Sequence, residues 1–217
     1  MLGYVKNYNF FVLLAGILVF LLLTPALQIY KSESIRVLLL WSLSLTLLIQ
    51  VWSLIEDKKL FRVGMVLTVF SFALTALGQI YPWLGLKLLS LLIFLIFFCL
   101  ALVIAAREVF SRSSITLNTF AGALSLYFLL GMIWTLAYIF VYQLQPLSFK
   151  GLDESVINNE IEFIYFSYIT LTSLGYGDIT ALTPIARTLA YIEVIIGQFY
   201  MAVLVGALVG KYISNHK

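Results

Sequence analysis

The chain of 217 residues is 63% hydrophobic and only 11% charged, and 13 Lys and Arg against 10 Asp and Glu give it a net charge of +3. A mean hydropathy of +1.06 is far too high for a water-soluble domain and places the chain in a membrane. With one cysteine, Cys99, and one histidine, His216, there is no intramolecular disulfide framework, no metal cluster and no nucleophile with a base, so enzymatic activity has no support.

Apolar runs of about 20 residues, the length that crosses a bilayer, predict six transmembrane helices at 10–29, 37–55, 63–80, 84–105, 117–143 and 184–212. The first run, followed by Thr24-Pro25-Ala26, also has the form of a secretory signal, but its start is weakly basic and a retained span is expected. Cys99 falls inside the fourth span, where packing is its expected role.

The stretch 161–174 is apolar yet too short to cross, which predicts a re-entrant segment. Asn159 is its expected cap, and Glu160 and Glu162 suit the positive end of its dipole. Tyr165, Phe166 and Tyr168 lie along it, either as an aromatic cuff around the adjoining glycine-containing loop or as ordinary membrane packing. Thr183 and Pro184 read as the cap and first residue of the last helix.

Charge sets the orientation. A cytoplasmic amino terminus puts Lys6, Lys58, Lys59, Arg62, Arg107, Arg112, Lys211 and Lys217 inside, eight of the 13 basic residues, the sign that the positive-inside rule requires. Both termini are then cytoplasmic, and the segment from Lys150 to Glu162 lies outside.

Thr172-Ser173-Leu174-Gly175-Tyr176-Gly177-Asp178 resembles the selectivity filter of a potassium channel. The resemblance extends through Phe163-Ile164-Tyr165-Phe166-Ser167, Ile179-Thr180, Thr183-Pro184 and Gly197-Gln198-Phe199-Tyr200, which look like the pore module of bacterial tetrameric potassium channels, here of the six-span type. It implies that Ser173, Leu174, Gly175, Tyr176 and Gly177 hold potassium ions in passage, with no organic cofactor. Thr170, Thr172, Asp178, Phe166 and Glu193 would support the filter. A filter strips water from a cation by presenting converging oxygens. Carbonyls on successive residues converge only if the backbone alternates in hand, and Gly175 and Gly177 supply left-handed positions at little cost. One copy cannot encircle an ion, so a homotetramer is expected. The family's usual second threonine is Ser173, which keeps the hydroxyl but lacks the methyl that restrains its rotamer; its usual valine is Leu174.

Gly197 stands where inner helices of this family carry a gating-hinge glycine; close helix packing would equally explain it. At 100° per residue Val194, Gln198, Ala202, Val205 and Val209 share one face, and the resemblance makes it the cavity face. Gln198 would form a polar ring under the filter, and Val205 and Val209 hydrophobic rings able to gate by dewetting. Glu193 lies well away from that face at membrane depth, where it needs a partner or a proton. Bracing the back of the pore helix, through Thr170 or water, is the expected role, ahead of a proton relay.

The chain is expected to divide into a four-helix domain at 1–106, a cytoplasmic linker at 107–116 and a pore domain at 117–217. The first four helices occupy the place of a voltage sensor but lack its charges. The fourth contains only Lys87, near its outer end, and the second and third contain no Asp or Glu. At about 2.3 kcal/mol per charge per 100 mV, the field has almost nothing to pull on. Ser42, Ser44, Thr46, Gln50, Ser71, Thr75 and Gln79 are expected to bond between helices. The expectation is an all-α membrane protein of the cell membrane: a passive potassium channel, not strongly voltage-gated, with the bilayer and three further copies as its partners. Neither a nucleic-acid partner nor a cytosolic ligand-sensing domain is expected. The alternatives are a weakly selective cation channel or a potassium transporter subunit.

Overall fold

The structure is a computed structural model, and it describes residues 10–28, 42, 45–46, 58–81, 83–111, 116–152 and 160–214. Among the described residues six helices of ten residues or more carry the fold: α1 (Phe10–Gln28), α2 (Lys58–Ile80), α3 (Leu84–Ser111), α4 (Leu117–Leu144), α5 (Glu160–Leu171) and α6 (Pro184–Ser214). Among the described residues three helical stretches are long and apolar enough to cross a membrane, Leu84–Phe110, Leu117–Leu144 and Pro184–Leu204. Shorter apolar helices run over Phe10–Thr24, Arg62–Gly78 and Ile161–Leu171. Most of the expected second span, 37–55, lies outside the described residues, as does Asn159.

Helix α4 is the hub, with α1, α3, α5 and α6 all packed against it. Small residues on α4 allow the approach. A Cβ at Gly122 would press on the rings and methyls of Phe10 and Val109, and one at Gly131 would enter the Tyr168 ring. In lipid, where burial of apolar surface offers little drive, such close packing and interhelical hydrogen bonds hold helices together. The core between α1, α3 and α4 contains Phe10, Leu13, Ile17, Phe97 and Phe98 against Ala121, Leu126 and Leu129.

The starts of α4 and α6 follow from their caps. Thr116 and Thr119 form a reciprocal capping box at the start of α4. At α6 the Thr183 hydroxyl accepts from the Ala186 N–H at 3.4 Å, and Pro184 occupies the first turn where no N–H is needed.

Four sequence expectations change. Helix α3 continues past Ala105 to Ser111, so the first residues of the expected linker are helical. Its sequence holds no glycine or proline from Leu88 onward to stop it. The donor bonds of Thr46 and Ser71 stay within a helix: their hydroxyls donate at 2.7 Å to the carbonyls of Ser42 and Leu67, four residues back in the same chain. Back-bonding of this kind satisfies a hydroxyl in an apolar setting without a second helix. Cys99 is exposed rather than packed. The all-helical expectation misses a small ladder, β1 (Phe149–Lys150) antiparallel to β2 (Thr180–Ala181), with Phe149 opposite Ala181 and Lys150 opposite Thr180. The Leu182 N–H extends it by donating to the Ser148 carbonyl at 2.8 Å.

Candidate functional site

The short helix α5 is held on one face by α4. The Tyr168 hydroxyl donates to the Phe128 carbonyl at 2.8 Å and the Tyr127 hydroxyl to the Leu171 carbonyl at 3.3 Å, while the Thr135 hydroxyl donates within α4 to Gly131 at 2.8 Å and lies 3.5 Å from the Phe163 carbonyl. Phe166 sits in a cluster of edge-to-face rings with Tyr138 and Phe149, its centroid 4.9 Å and 5.6 Å from theirs. Phe163 joins the same cluster through Phe149 at 4.9 Å. Such pairs contribute about 0.5–1.5 kcal/mol each beyond area burial. Phe166 and Tyr168 are therefore packed behind the helix, whereas Tyr165 is exposed and reaches forward to Asp178.

At the end of α5 the chain reverses, and its N–H groups turn back into the helix. The Ser173 N–H donates to Thr170 at 2.9 Å, and those of Leu174 and Gly175 both reach the Ile169 carbonyl, at 2.8 Å and 3.1 Å. The Thr172 hydroxyl folds back to the Tyr168 carbonyl at 2.7 Å, so it supports the bend. Ser173, Gly175 and Gly177 take φ of 60°, 51° and 80°. Left-handed residues thus alternate with Leu174 and Tyr176, which is the geometry that aims successive carbonyls to one side. Among the described residues no hydrogen bond within the chain takes the carbonyls of 173–177. Residues 172–178 are all exposed.

Sequence reasoning identified the two glycines but not Ser173 as a third left-handed position. Glycine spacing gives no sign of it, because the conformation is imposed by the N–H bonds to Thr170 and Ile169. An unbranched side chain suits the position: a β-branched residue at positive φ is a steric outlier.

Asp178 closes the loop. Its carboxylate accepts from the Tyr165 hydroxyl at 2.5 Å and from the Ile179 N–H at 2.9 Å. The Tyr165 bond, more than any other contact, holds the Asp178 carboxyl below the usual carboxylate range, and the Tyr165 phenol is pushed up to about 12 by the same bond. Behind Asp178 its carbonyl lies against Gly151, at φ 91°, where any Cβ would collide with it.

Helix α6 passes beneath. Gly197 is buried, and a Cβ there would strike the Leu171 carbonyl and press on the Leu171 side chain. Close packing is thus a sufficient reason for this glycine. One residue on, the Gln198 amide donates to the Ser173 hydroxyl at 2.7 Å. Glu193 is fully buried; the Tyr138 hydroxyl contacts its Oε2, and Ser167 Oγ lies 2.6 Å from Oε1. The partners are hence Ser167 and Tyr138, and Thr170 contributes its backbone carbonyl to Ser173 instead. The side chains of Val205 and Val209 lie outside the described residues.

Residues 116–214 match a family model described as an ion channel. The match takes in α4, α5, the alternating loop and α6, and it supports a non-enzymatic role in ion transport through a multi-pass membrane protein. No curated protein and no solved structure matches the chain.

Proposed function

We propose that the chain is one subunit of a homotetrameric potassium-selective channel of the cell membrane, with six spans, both termini cytoplasmic and little voltage sensitivity. The observation that carries the reading is the alternation of left-handed residues at Ser173, Gly175 and Gly177, with the N–H groups of 173–175 turned back into α5. Carbonyl oxygens remain as the groups the loop offers, and rings of carbonyls are what replaces the water around a dehydrated cation. The dipole of α5 supports the reading, because its carbonyl end adjoins the loop and favours a cation there. Tetramerisation is supported by the isolated chain's surface: Tyr176 is 67% exposed and Phe199 66% exposed, and one loop cannot surround an ion. In this reading 1–106 form a charge-poor sensor-like unit and 117–217 the pore, with 107–116 a linker whose first residues continue α3.

The mechanism is passive. Ions enter past Asp178, shed water to the carbonyls of Ser173 to Gly177, and leave into a cavity lined by α6, where Gln198 is exposed. Gly197 gives α6 a pliable point as well as close contact, and rings of Val205 and Val209 below it gate by dewetting. The test is purified protein reconstituted in a planar bilayer under a potassium gradient with sodium as the opposing ion. Reversal that follows the potassium gradient is expected; equal permeability to sodium would refute selectivity. Coupling of the current to a proton gradient would favour a transporter subunit instead.

A further inference from the structure

We propose that Gln198 is a specificity-determining residue that locks the Ser173 hydroxyl in place for the innermost cation site. The inference rests on the reading of 173–177 as a potassium filter. The two side chains are 25 residues apart in sequence, yet the Gln198 amide donates to Ser173 Oγ at 2.7 Å. The approach depends on the neighbouring glycine. Gly197 lets α6 come against the Leu171 carbonyl at the end of α5, and that contact brings the next residue within reach of the loop.

The chemistry explains why a lock is needed. Serine has three open staggered rotamers, whereas a second substituent on Cβ would narrow them. Ser173 also stands at φ 60°, where the branched alternative is sterically costly. An unbranched residue therefore relieves the backbone and loosens the hydroxyl at once. A hydrogen bond from a different helix restores the lost restraint without adding a methyl to a left-handed residue. A hydroxyl oxygen has two lone pairs; the amide occupies one and leaves the other for a cation. Gln198 is a positioning residue in this scheme, since it acts on the cation through Ser173.

The experiment measures the potassium-to-sodium permeability ratio from reversal potentials of the reconstituted full-length channel. Gln198→Ala is expected to lower the ratio at least about fivefold, the equilibrium weight of one neutral hydrogen bond of about 1 kcal/mol. Gln198→Met keeps the length but not the donor, and the same drop is expected. Adding Gln198→Ala to Ser173→Ala is expected to lower the ratio no further than Ser173→Ala alone, because the amide acts only through the hydroxyl. A purely structural role for Gln198 would add its own loss, so a further drop of the single-variant size overturns the lock. An unchanged ratio in both Gln198 variants, with a selective wild type, also overturns it and leaves the channel reading standing. A wild type that passes both ions equally overturns that reading and this one with it.

Discussion

Replacing Glu193 by glutamine and by alanine is expected to give sharply different proteins. Ser167 Oγ lies 2.6 Å from Glu193 Oε1 and 2.8 Å from the Gly131 carbonyl. Serine has a single hydrogen, so it can donate to only one of them. The Tyr138 hydroxyl takes the other carboxyl oxygen. A hydrogen carried by Glu193 itself gives all these oxygens a partner, and it avoids a charge at membrane depth that costs about 2.5–3.5 kcal/mol. Glutamine reproduces the arrangement, its amide donating to Ser167 and its carbonyl accepting from Tyr138. Glu193→Gln should therefore cost under about 1 kcal/mol. Glu193→Ala leaves the buried Tyr138 hydroxyl without its carboxyl partner at about 1–3 kcal/mol, while Ser167 keeps the Gly131 carbonyl, and it opens a void besides. The total is roughly 3–5 kcal/mol per subunit. At about 2–4 °C per kcal/mol for a chain of this size, alanine should lower the thermal midpoint of the detergent-solubilised protein on the order of ten degrees. Glutamine should lower it by under about four. The assay is the surviving size-exclusion peak after heating. If glutamine proves as damaging as alanine, the site holds a carboxylate and the hydrogen count is wrong.

Gly175→Ala and Gly177→Ala should each abolish conduction. A Cβ at either position meets no atom of its own chain within 4 Å, so within one subunit the damage arises from forcing alanine to positive φ, at roughly 1–2 kcal/mol. Potassium-selective current in either variant would displace the filter from this loop. Gly197→Ala should reduce the yield of assembled protein and its thermal midpoint, because overpacking against a backbone carbonyl costs typically about 1–3 kcal/mol. Unchanged stability would show that α6 can stand off from Leu171. For Asp178 the sign follows from a lowered carboxyl: its bond from Tyr165 is intact above the ordinary carboxylate range and is lost as pH falls through the lowered value. On the alkaline side it persists until pH rises through about 12, where the Tyr165 phenol ionises. Current titrated from the Asp178 side should collapse only at strongly acidic pH, and Tyr165→Phe should move the collapse to higher pH. No movement in that variant would mean that the bond does not set the titration.

The loop was legible in the sequence because glycine is the cheap residue for a left-handed backbone, and Gly175 and Gly177 mark the positions openly. Ser173 adopts the same hand for a reason that no residue type reveals, the capture of its N–H and those of its neighbours by the end of α5. The start of α6 was equally plain, since Thr183 and Pro184 act locally. By contrast, the partners of Glu193 come from 26 and 55 residues away. Burial of an acid predicts that partners exist but cannot choose among the many hydroxyls of the chain. The hydroxyls of the early helices have an acceptor nearer than any second helix: the carbonyl four residues back is always present, and Thr46 and Ser71 donate to it. Two-residue strands carry no periodicity at all, so the pairing of Phe149–Lys150 with Thr180–Ala181 had no signature to read.

That small ladder also bears on how the chain can be recombined. By joining the segment just after α4 to the segment just before α6, it brings the entry and exit of the intervening stretch side by side. A stretch whose ends meet can change in length without moving the helices that flank it, as insertions with adjacent termini generally can. The stretch is a loop closed at its neck by Lys150 and Thr180, and a replacement keeps its seat only if it keeps the contacts that α4 and α6 make with α5.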